Sequence, residues 1–214
     1  MPLPMVHLAV AYALKDSPLA GSDKAAFFLG VNAPDAVQKR EDWTLRDKMH
    51  SHLMINLPEE KKREIQTERV RALWYKRTGD PTADSFLAGY CVHLLTDILW
   101  KKDFYQPIFT AAFKGDHAPG HSETSAYHND SSMADLELYK TAPWRAEVFA
   151  LLAGHGGYTL ESLVYASEVN LWTDHILHSF DDLDLSHYRP MRYFTTDQVL
   201  AFAEQAAEKI CKFL

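Results

Sequence analysis

The chain has 214 residues, 47% hydrophobic and 24% charged, which is enough to form one globular domain with a sizeable core. Its formal net charge of -7 argues against a broad surface that follows a nucleic-acid backbone. No uncharged apolar run reaches about 18 residues, so we expect no transmembrane helix. The first residues lack the pattern of a secretory signal, and we therefore expect a cytoplasmic protein.

Hydrophobic spacing with a helical period recurs along the whole chain, whereas no convincing strand run or internal repeat is present. A proline or a capping residue begins several of these segments, and Gly30 is expected to end the second. The predicted helices span residues 4–14, 24–29, 58–75, a central segment from about 80 to 100, 132–139, 144–152, 159–180 and 196–214. The sequence therefore predicts an all-α, single-domain bundle of about seven or eight helices over residues 1–214.

The longest loop-like segment is predicted between Gly115 and Asp130, where glycine, proline, histidine and serine are frequent. Such polar connections lie at the surface and often carry function, so this segment is a candidate rim or lid. His117 and His121 within it are expected to be exposed. His128 comes where the chain returns to regular structure.

The central helix contains the most informative pair of residues, His93 and Asp97, in the apolar run from Gly89 to Trp100. A spacing of four residues places an imidazole and a carboxylate on one face of a helix, one turn apart. Burial of both groups is costly unless they have partners. They either pair with each other or bind a metal ion together.

Other residues could complete a metal site, although each has an ordinary structural explanation when taken alone. His7 is near the apolar edge of the first helix, and Asp35 follows the bend at Ala33-Pro34. His50 and His52 would point in different directions on a helix, so at most one of them faces the site. The remaining candidates are His128 with Asp130 or Asp135 as possible supporting carboxylates, and the pair His178 and Asp182.

The ligand types favour zinc, with iron or manganese as alternatives, because imidazole and carboxylate are plentiful near these positions. Cys91 and Cys211 are far apart in apolar, helical segments. Buried, reduced thiols are expected there, and neither cysteine is a candidate ligand or nucleophile.

Three segments of the chain are informative together: Phe27-Phe28-Leu29-Gly30-Val31-Asn32-Ala33-Pro34-Asp35, then Lys48-Met49-His50-Ser51-His52, then Gly89-Tyr90-Cys91-Val92-His93-Leu94-Leu95-Thr96-Asp97. In this order they resemble the zinc-dependent phospholipase C and S1/P1 nuclease superfamily, most of all its bacterial phospholipase C-like branch. The resemblance covers about the first half of the chain and keeps the order of the motifs. It implies an all-α fold and a metal cluster.

Carried over by position, the resemblance makes Asp35, His52, His93 and Asp97 the ligands of one metal ion. His7 corresponds to an early histidine that binds another zinc in the family together with an N-terminal tryptophan, whereas this chain begins Met1-Pro2. Asp103 stands where the family has its next histidine ligand, and His128 or the pair His178 and Asp182 are the late candidates. We expect one metal, two if a further ligand set assembles, and not three.

The resemblance implies a metal-dependent hydrolase of phosphoric esters that acts on a small phosphorylated or lipid-like substrate with metal-activated water. Asp35 and Asp97 are the predicted catalytic carboxylates. The alternative is a non-catalytic helical protein that keeps the scaffold and uses a metal for stability. A phosphohydrolase of the HD type ranks last, because the chain contains no adjacent His-Asp pair.

Overall fold

The computed structural model describes residues 2–114, 122–181 and 183–214. Within these ranges the protein is all-α, as the sequence predicts, and its one extended pairing is an isolated bridge between Leu160 and Val164. The α-helices are α1 Pro4–Leu14, α2 Lys24–Asn32, α3 Leu45–Ser51, α4 Lys62–Trp74, α5 Pro81–Leu99, α6 Ala111–Lys114, α7 Glu123–Thr141, α8 Arg145–Ala153, α9 Ala166–His178 and α10 Thr196–Phe213. A π-helix, Trp100–Thr110, joins α5 to α6, and 3-10 turns span Pro18–Ala20, Ala33–Lys39, Glu59–Lys61 and Leu185–His187.

The starts of the helices follow the capping signals of the sequence. The Asp23 side chain accepts a hydrogen bond from the Ala26 amide at the start of α2, and Asp80 accepts one from Ala83 at the start of α5. Thr195 begins the last helix with a reciprocal capping box. Short-range hydrogen bonds of this kind can be predicted from the sequence because donor and acceptor are three residues apart.

Helix α5 runs through the centre of the fold, and every residue from Ser85 to Asp97 is buried. It packs along α2 and against α1, α4 and α10. Among the described residues, no helix combines the length and the apolar character that crossing a membrane requires.

Helix α2 is longer than predicted, because Gly30 does not end it. A Cβ at Gly30 would collide with the Phe86 carbonyl oxygen of α5, and one at Gly89 would collide with the Phe27 carbonyl oxygen of α2. The two glycines therefore allow backbone contact between the helices. A glycine that is needed for close packing looks in sequence like a helix terminator.

The loop predicted from Gly115 to Asp130 is wrong in its second half. Ser122 caps α7 by accepting a hydrogen bond from the Ser125 amide, and residues 123–130 are helical. His117 and His121 lie outside the described residues. The predicted helix 159–180 is shorter than expected, because residues 160–164 form a turn with a positive φ at Ser162.

The helices are more numerous than predicted, and the chain after α5 accounts for part of the difference. The π-helix and α6 follow α5 without a break, although Pro107 lies inside the π-helix. Helix α3 is also an addition, in a stretch whose mixed character gave no clear period. Its start carries a capping box between Thr44 and Asp47.

Candidate metal centre

Helix α5 carries His93 and Asp97 into the interior on one face. His93 is 1% exposed and Asp97 is 9% exposed, and their Nε2 and Oδ2 atoms are 3.8 Å apart. Neither oxygen of Asp97 has a hydrogen-bond partner among the described residues. At this distance His93 does not satisfy the Asp97 carboxylate, and a buried carboxylate without a partner is costly. The two residues therefore do not form a simple buried ion pair.

The contact between α2 and α5 determines how the His93 ring is oriented. His93 Nδ1 lies 2.7 Å from the Val31 carbonyl oxygen, which can only accept a hydrogen bond. Nδ1 therefore carries the proton, and the neutral ring presents the lone pair of Nε2 to the cluster. A backbone carbonyl behind the ligating ring is a common arrangement in metal sites.

His52 is oriented in the same way at the end of α3. Its Nδ1 lies 2.9 Å from the Lys48 carbonyl oxygen, so its lone pair is also on Nε2. The two Nε2 atoms of His52 and His93 are only 3.3 Å apart. Because the proton of each neutral ring is on Nδ1 and hydrogen-bonded to a carbonyl oxygen, neither Nε2 carries a hydrogen. The two Nε2 lone pairs therefore face each other. A cation between them removes this repulsion.

Backbone hydrogen bonds hold the end of α3 in place around His52. Tyr90 of α5 donates to the Ser51 carbonyl, and Gln66 of α4 donates to the His52 carbonyl. The Ser51 hydroxyl donates to the Pro34 carbonyl. Tyr90 therefore supports the site from behind and is absent from the lining of the cavity over Asp97. Phe86 is fully buried against α2.

The choice between His50 and His52 is decided by the bend at the end of α3. His50 is exposed, and its Nε2 contacts the Ser162 carbonyl oxygen. His52 is completely buried and faces the two aspartates.

Asp35 enters the cluster from the 3-10 turn Ala33–Lys39. Its Oδ1 is 3.6 Å from His52 Nε2 and 2.9 Å from Lys48 Nζ. Burial by itself would raise the pKa of Asp35, but the neighbouring His93, His52 and Lys48 outweigh it and hold that pKa well below its usual range. Asp35 therefore stays ionised, as a metal-binding carboxylate must.

His7 of α1 approaches from the other side of His93. The two rings stack in parallel, with centroids 3.9 Å apart and planes within 3° of each other. His7 Nε2 lies 3.5 Å from Asp97 Oδ1, whereas His52 Nε2 lies 3.5 Å from Asp97 Oδ2. The two Asp97 oxygens face different histidines.

Two overlapping groups of side chains could thus hold a metal ion, with ligating atoms that all lie within 4.8 Å of one another in each group. They are Asp35, His52 and His93, and His7, His93 and Asp97. Asp97 Oδ2 also faces the first group. Five of the six predicted metal ligands are brought together here, from four separate elements.

Burial controls the protonation of these groups. Desolvation lowers the pKa of His7, His52 and His93, the last to about 3, so all three imidazoles are neutral near pH 7. Desolvation and the nearby Asp35 raise the pKa of Asp97. The histidines are therefore ready to act as ligands, while a cation is needed to favour the ionised form of Asp97.

A cavity of about 630 Å³ opens over the Asp97 side of the cluster. Helix α4, the π-helix and α7 form its walls, and Trp100 and Tyr127 are among its aromatic lining residues. His128, the sixth predicted ligand, is exposed at this cavity and belongs to neither group of possible ligands among the described residues. Its position makes it a cavity residue.

The remaining candidates have other contacts. The Asp130 carboxylate accepts backbone hydrogen bonds from Arg192 and Tyr193, and Asp135 accepts one from the Met5 amide at 3.0 Å. Asp135 thereby caps the helix that carries His7. Sequence spacing missed this contact, which joins residues 130 positions apart.

Two further positions considered from the sequence do not join the cluster. Asp103, which the resemblance aligns with a histidine ligand, forms an ion pair with Lys209 at 2.9 Å. His178 is exposed and contacts the Asp174 carbonyl oxygen on its own helix. Its predicted partner Asp182 lies outside the described residues.

Comparisons with protein-family models, with curated proteins and with solved structures gave no match to this chain. The site itself is a buried cluster of imidazoles and carboxylates that opens on one side into a cavity.

Proposed function

We propose that this protein is a metal-dependent hydrolase of phosphoric esters, similar in kind to the zinc-dependent phospholipases C. The observation that carries the proposal is the pair of facing Nε2 lone pairs of His52 and His93, 3.3 Å apart, next to two carboxylates at the base of a cavity. Such a cluster favours a bound cation, and the cavity gives a substrate access to it.

Asp35, His52, His93 and Asp97 would hold one metal ion, and zinc is preferred for this ligand set, with iron or manganese as alternatives. The orphaned oxygens of Asp97 and the orphaned nitrogens of His7 fit this requirement. His7 with Asp97 Oδ1 is the place for a second ion. When bound, the metal supplies a Lewis acid for a phosphoryl oxygen and lowers the pKa of water.

The protein's own residues orient and protect this centre. The carbonyls of Val31 and Lys48 keep both ligand rings in one tautomer, and Lys48 Nζ holds Asp35 in place. Asp97 is the ligand that lines the cavity, so a substrate phosphate meets this side of the cluster.

The test is metal analysis of the purified protein followed by hydrolysis of bis(4-nitrophenyl) phosphate with zinc or manganese. We expect bound transition metal and metal-dependent turnover that His93→Ala abolishes. His50→Ala is the matched control, because His50 is an exposed neighbour of the site, and it should retain turnover. A protein without transition metal that gains no phosphodiesterase activity from either ion would overturn the proposal.

The second candidate function is a metal-stabilised helical protein without catalysis. The observation that favours it is the ion pair between Asp103 and Lys209, because a residue that the resemblance aligns with a metal ligand here pairs with a lysine instead. In that case the wild type binds metal without turnover, and His93→Ala mainly lowers the melting temperature.

A further inference from the structure

The cavity over Asp97 has a cationic wall, although the chain as a whole is acidic. Its lining includes three basic side chains from the start of α4 and from the π-helix, namely Lys62, Arg63 and Lys101. Among the described residues, two carboxylates line the same cavity, Glu59 and the candidate ligand Asp97. In a protein of formal net charge -7, this local excess of positive charge is a specific feature of the cavity.

The basic side chains of this wall have few acidic partners among the described residues. Lys62 contacts Glu59 at 3.4 Å, a surface pair that contributes little. Arg63 and Lys101 have no acidic partner among the described residues, whereas Arg40, elsewhere in the fold, contacts both Asp47 and Glu168. Arg63 and Lys101 are thus available to an anion that enters the cavity.

The rest of the lining restricts the kind of anion. Ile98, Trp100 and Met54 contribute apolar surface to the lining of the cavity. A cavity of about 630 Å³ is within the range of small-molecule sites. A small compound fits these features if it has an anionic group at each end and a short carbon segment between them.

We propose that the substrate carries a second anionic group, a carboxylate or a phosphate, and that Arg63 and Lys101 bind it while the scissile phosphoryl group lies at Asp97. This inference rests on the proposed function and narrows its substrate class to small phosphoesters that carry a second, separate anionic group. A nucleic-acid polymer is disfavoured, because the cations are confined to one cavity in an acidic protein. Arg63 can also form a bidentate contact with either anion.

The test uses phosphonates that the enzyme cannot hydrolyse and measures their binding to the zinc-loaded protein by calorimetry. Ethylphosphonate has one anionic group, 2-carboxyethylphosphonate adds a carboxylate, and ethane-1,2-bisphosphonate adds a second phosphonate. We expect at least one of the two probes with a second anionic group to bind ten or more times more tightly than ethylphosphonate. The relative affinities of these two probes distinguish a carboxylate from a phosphate.

The Arg63→Gln, Lys101→Gln double variant should reduce this preference to below threefold. Lys102→Gln is the matched control, because Lys102 is an exposed neighbour on the same π-helix that does not line the cavity, and it should retain the preference. Equal binding of all three probes by the wild type, or a preference that survives in the double variant, would overturn the inference.

Hydrolysis of bis(4-nitrophenyl) phosphate separates this result from the proposed function, since that ester has no second anionic group. Wild-type turnover without a preference among the phosphonates would leave the hydrolase standing and refute the anion site. A preference that depends on Arg63 and Lys101, in a protein without any turnover, would retain the anion site and refute the hydrolase.

Discussion

At the scale of single residues, two backbone carbonyls decide what the central histidines can do. The carbonyl oxygens of Val31 and Lys48 accept hydrogen bonds from the Nδ1–H groups of His93 and His52, which leaves the two rings with facing Nε2 lone pairs. Burial lowers the pKa of both rings, so protonation near neutral pH does not relieve the repulsion. The chemistry of the cluster therefore follows from its hydrogen-bonding surroundings as much as from the ligand types.

Lys48 provides a test at this scale, because its ammonium group lies 2.9 Å from Asp35. Lys48→Met removes the partner of a largely buried carboxylate, and we expect the metal-free protein to lose about 2 kcal/mol of stability. Zinc replaces the missing charge, so the rise in melting temperature on adding zinc should be larger in the variant than in the wild type. Lys102→Met, on an exposed lysine, should leave the rise unchanged; an equal or smaller rise in Lys48→Met would contradict this role.

Asp135 provides a test of pH dependence. Its burial raises the pKa to about 8 from an ordinary value of 3.8, against the hydrogen bonds from Met5 and Val6. A folded-state pKa above the unfolded one stabilises the protein below pH 3.8, and this stabilisation is lost as the pH rises towards 8. The loss is about 1.4 kcal/mol per pH unit at most.

Asp135→Asn should therefore gain stability relative to the wild type as the pH is raised from 5 to 8, in urea unfolding of the metal-free protein. Asp47→Asn is the control, because the pKa of Asp47 is shifted in the opposite direction. Hydrogen bonds with Thr44 and contact with Arg40 lower the pKa of Asp47 to about 2, so the carboxyl group is ionised in both states throughout this range. Its difference from the wild type should stay constant, and a constant difference for Asp135→Asn would refute the prediction.

At the scale of elements, the approach of α2 to α5 builds half of the site. Gly30 and Gly89 allow the two backbones to touch, and this contact brings the Val31 carbonyl to His93. The turn Ala33–Lys39 follows directly and delivers Asp35. Two glycines far from any chemistry thus control the position of two candidate ligands.

Gly89→Ala tests this dependence. The added Cβ would collide with the Phe27 carbonyl oxygen and lie 2.7 Å from the Val31 amide nitrogen, so the helices must separate. We expect a loss of about 3 kcal/mol in chemical unfolding, the upper end for overpacking, together with loss of tight zinc binding. Gly156→Ala is the control, because a Cβ at Gly156 meets nothing within 4 Å. Normal stability and zinc affinity in Gly89→Ala would show that the contact is dispensable.

At the scale of the whole molecule, the cluster joins parts of the chain that are far apart. Its side chains come from α1, the turn Ala33–Lys39, the end of α3 and α5, and α1 also packs against the C-terminal helix α10. An ion that binds only the folded state stabilises all of these contacts at once. Metal binding and global stability should therefore be linked.

Free zinc at a concentration of 100 times its Kd should add about 2.7 kcal/mol to the free energy of unfolding. For a domain of this size, that energy raises the melting temperature by about 5 to 10 °C in calorimetry. The shift should disappear in the His52→Ala, His93→Ala double variant and persist in His50→Ala, whose imidazole is outside the cluster. A shift of equal size in the double variant would place the zinc elsewhere.

Local features of this protein could be predicted from its sequence. Helical periodicity and capping residues such as Asp23, Asp80 and Thr195 act over three or four positions, so they predict the all-α class and most helix starts. The four-residue spacing of His93 and Asp97 likewise predicts that they share a helix face. These interactions depend on neighbours along the chain.

Only the tertiary structure decided the rest, because it depends on contacts between distant residues. The choice of His52 over His50, the role of Gly30 in packing, the Asp135 cap on α1 and the separation of His128 from the cluster all involve partners on other elements. The cationic wall of the cavity is of the same kind, since α4 and the π-helix meet there across some forty residues of sequence. Local hydrogen bonding determines the helices, whereas packing between them determines which side chains meet.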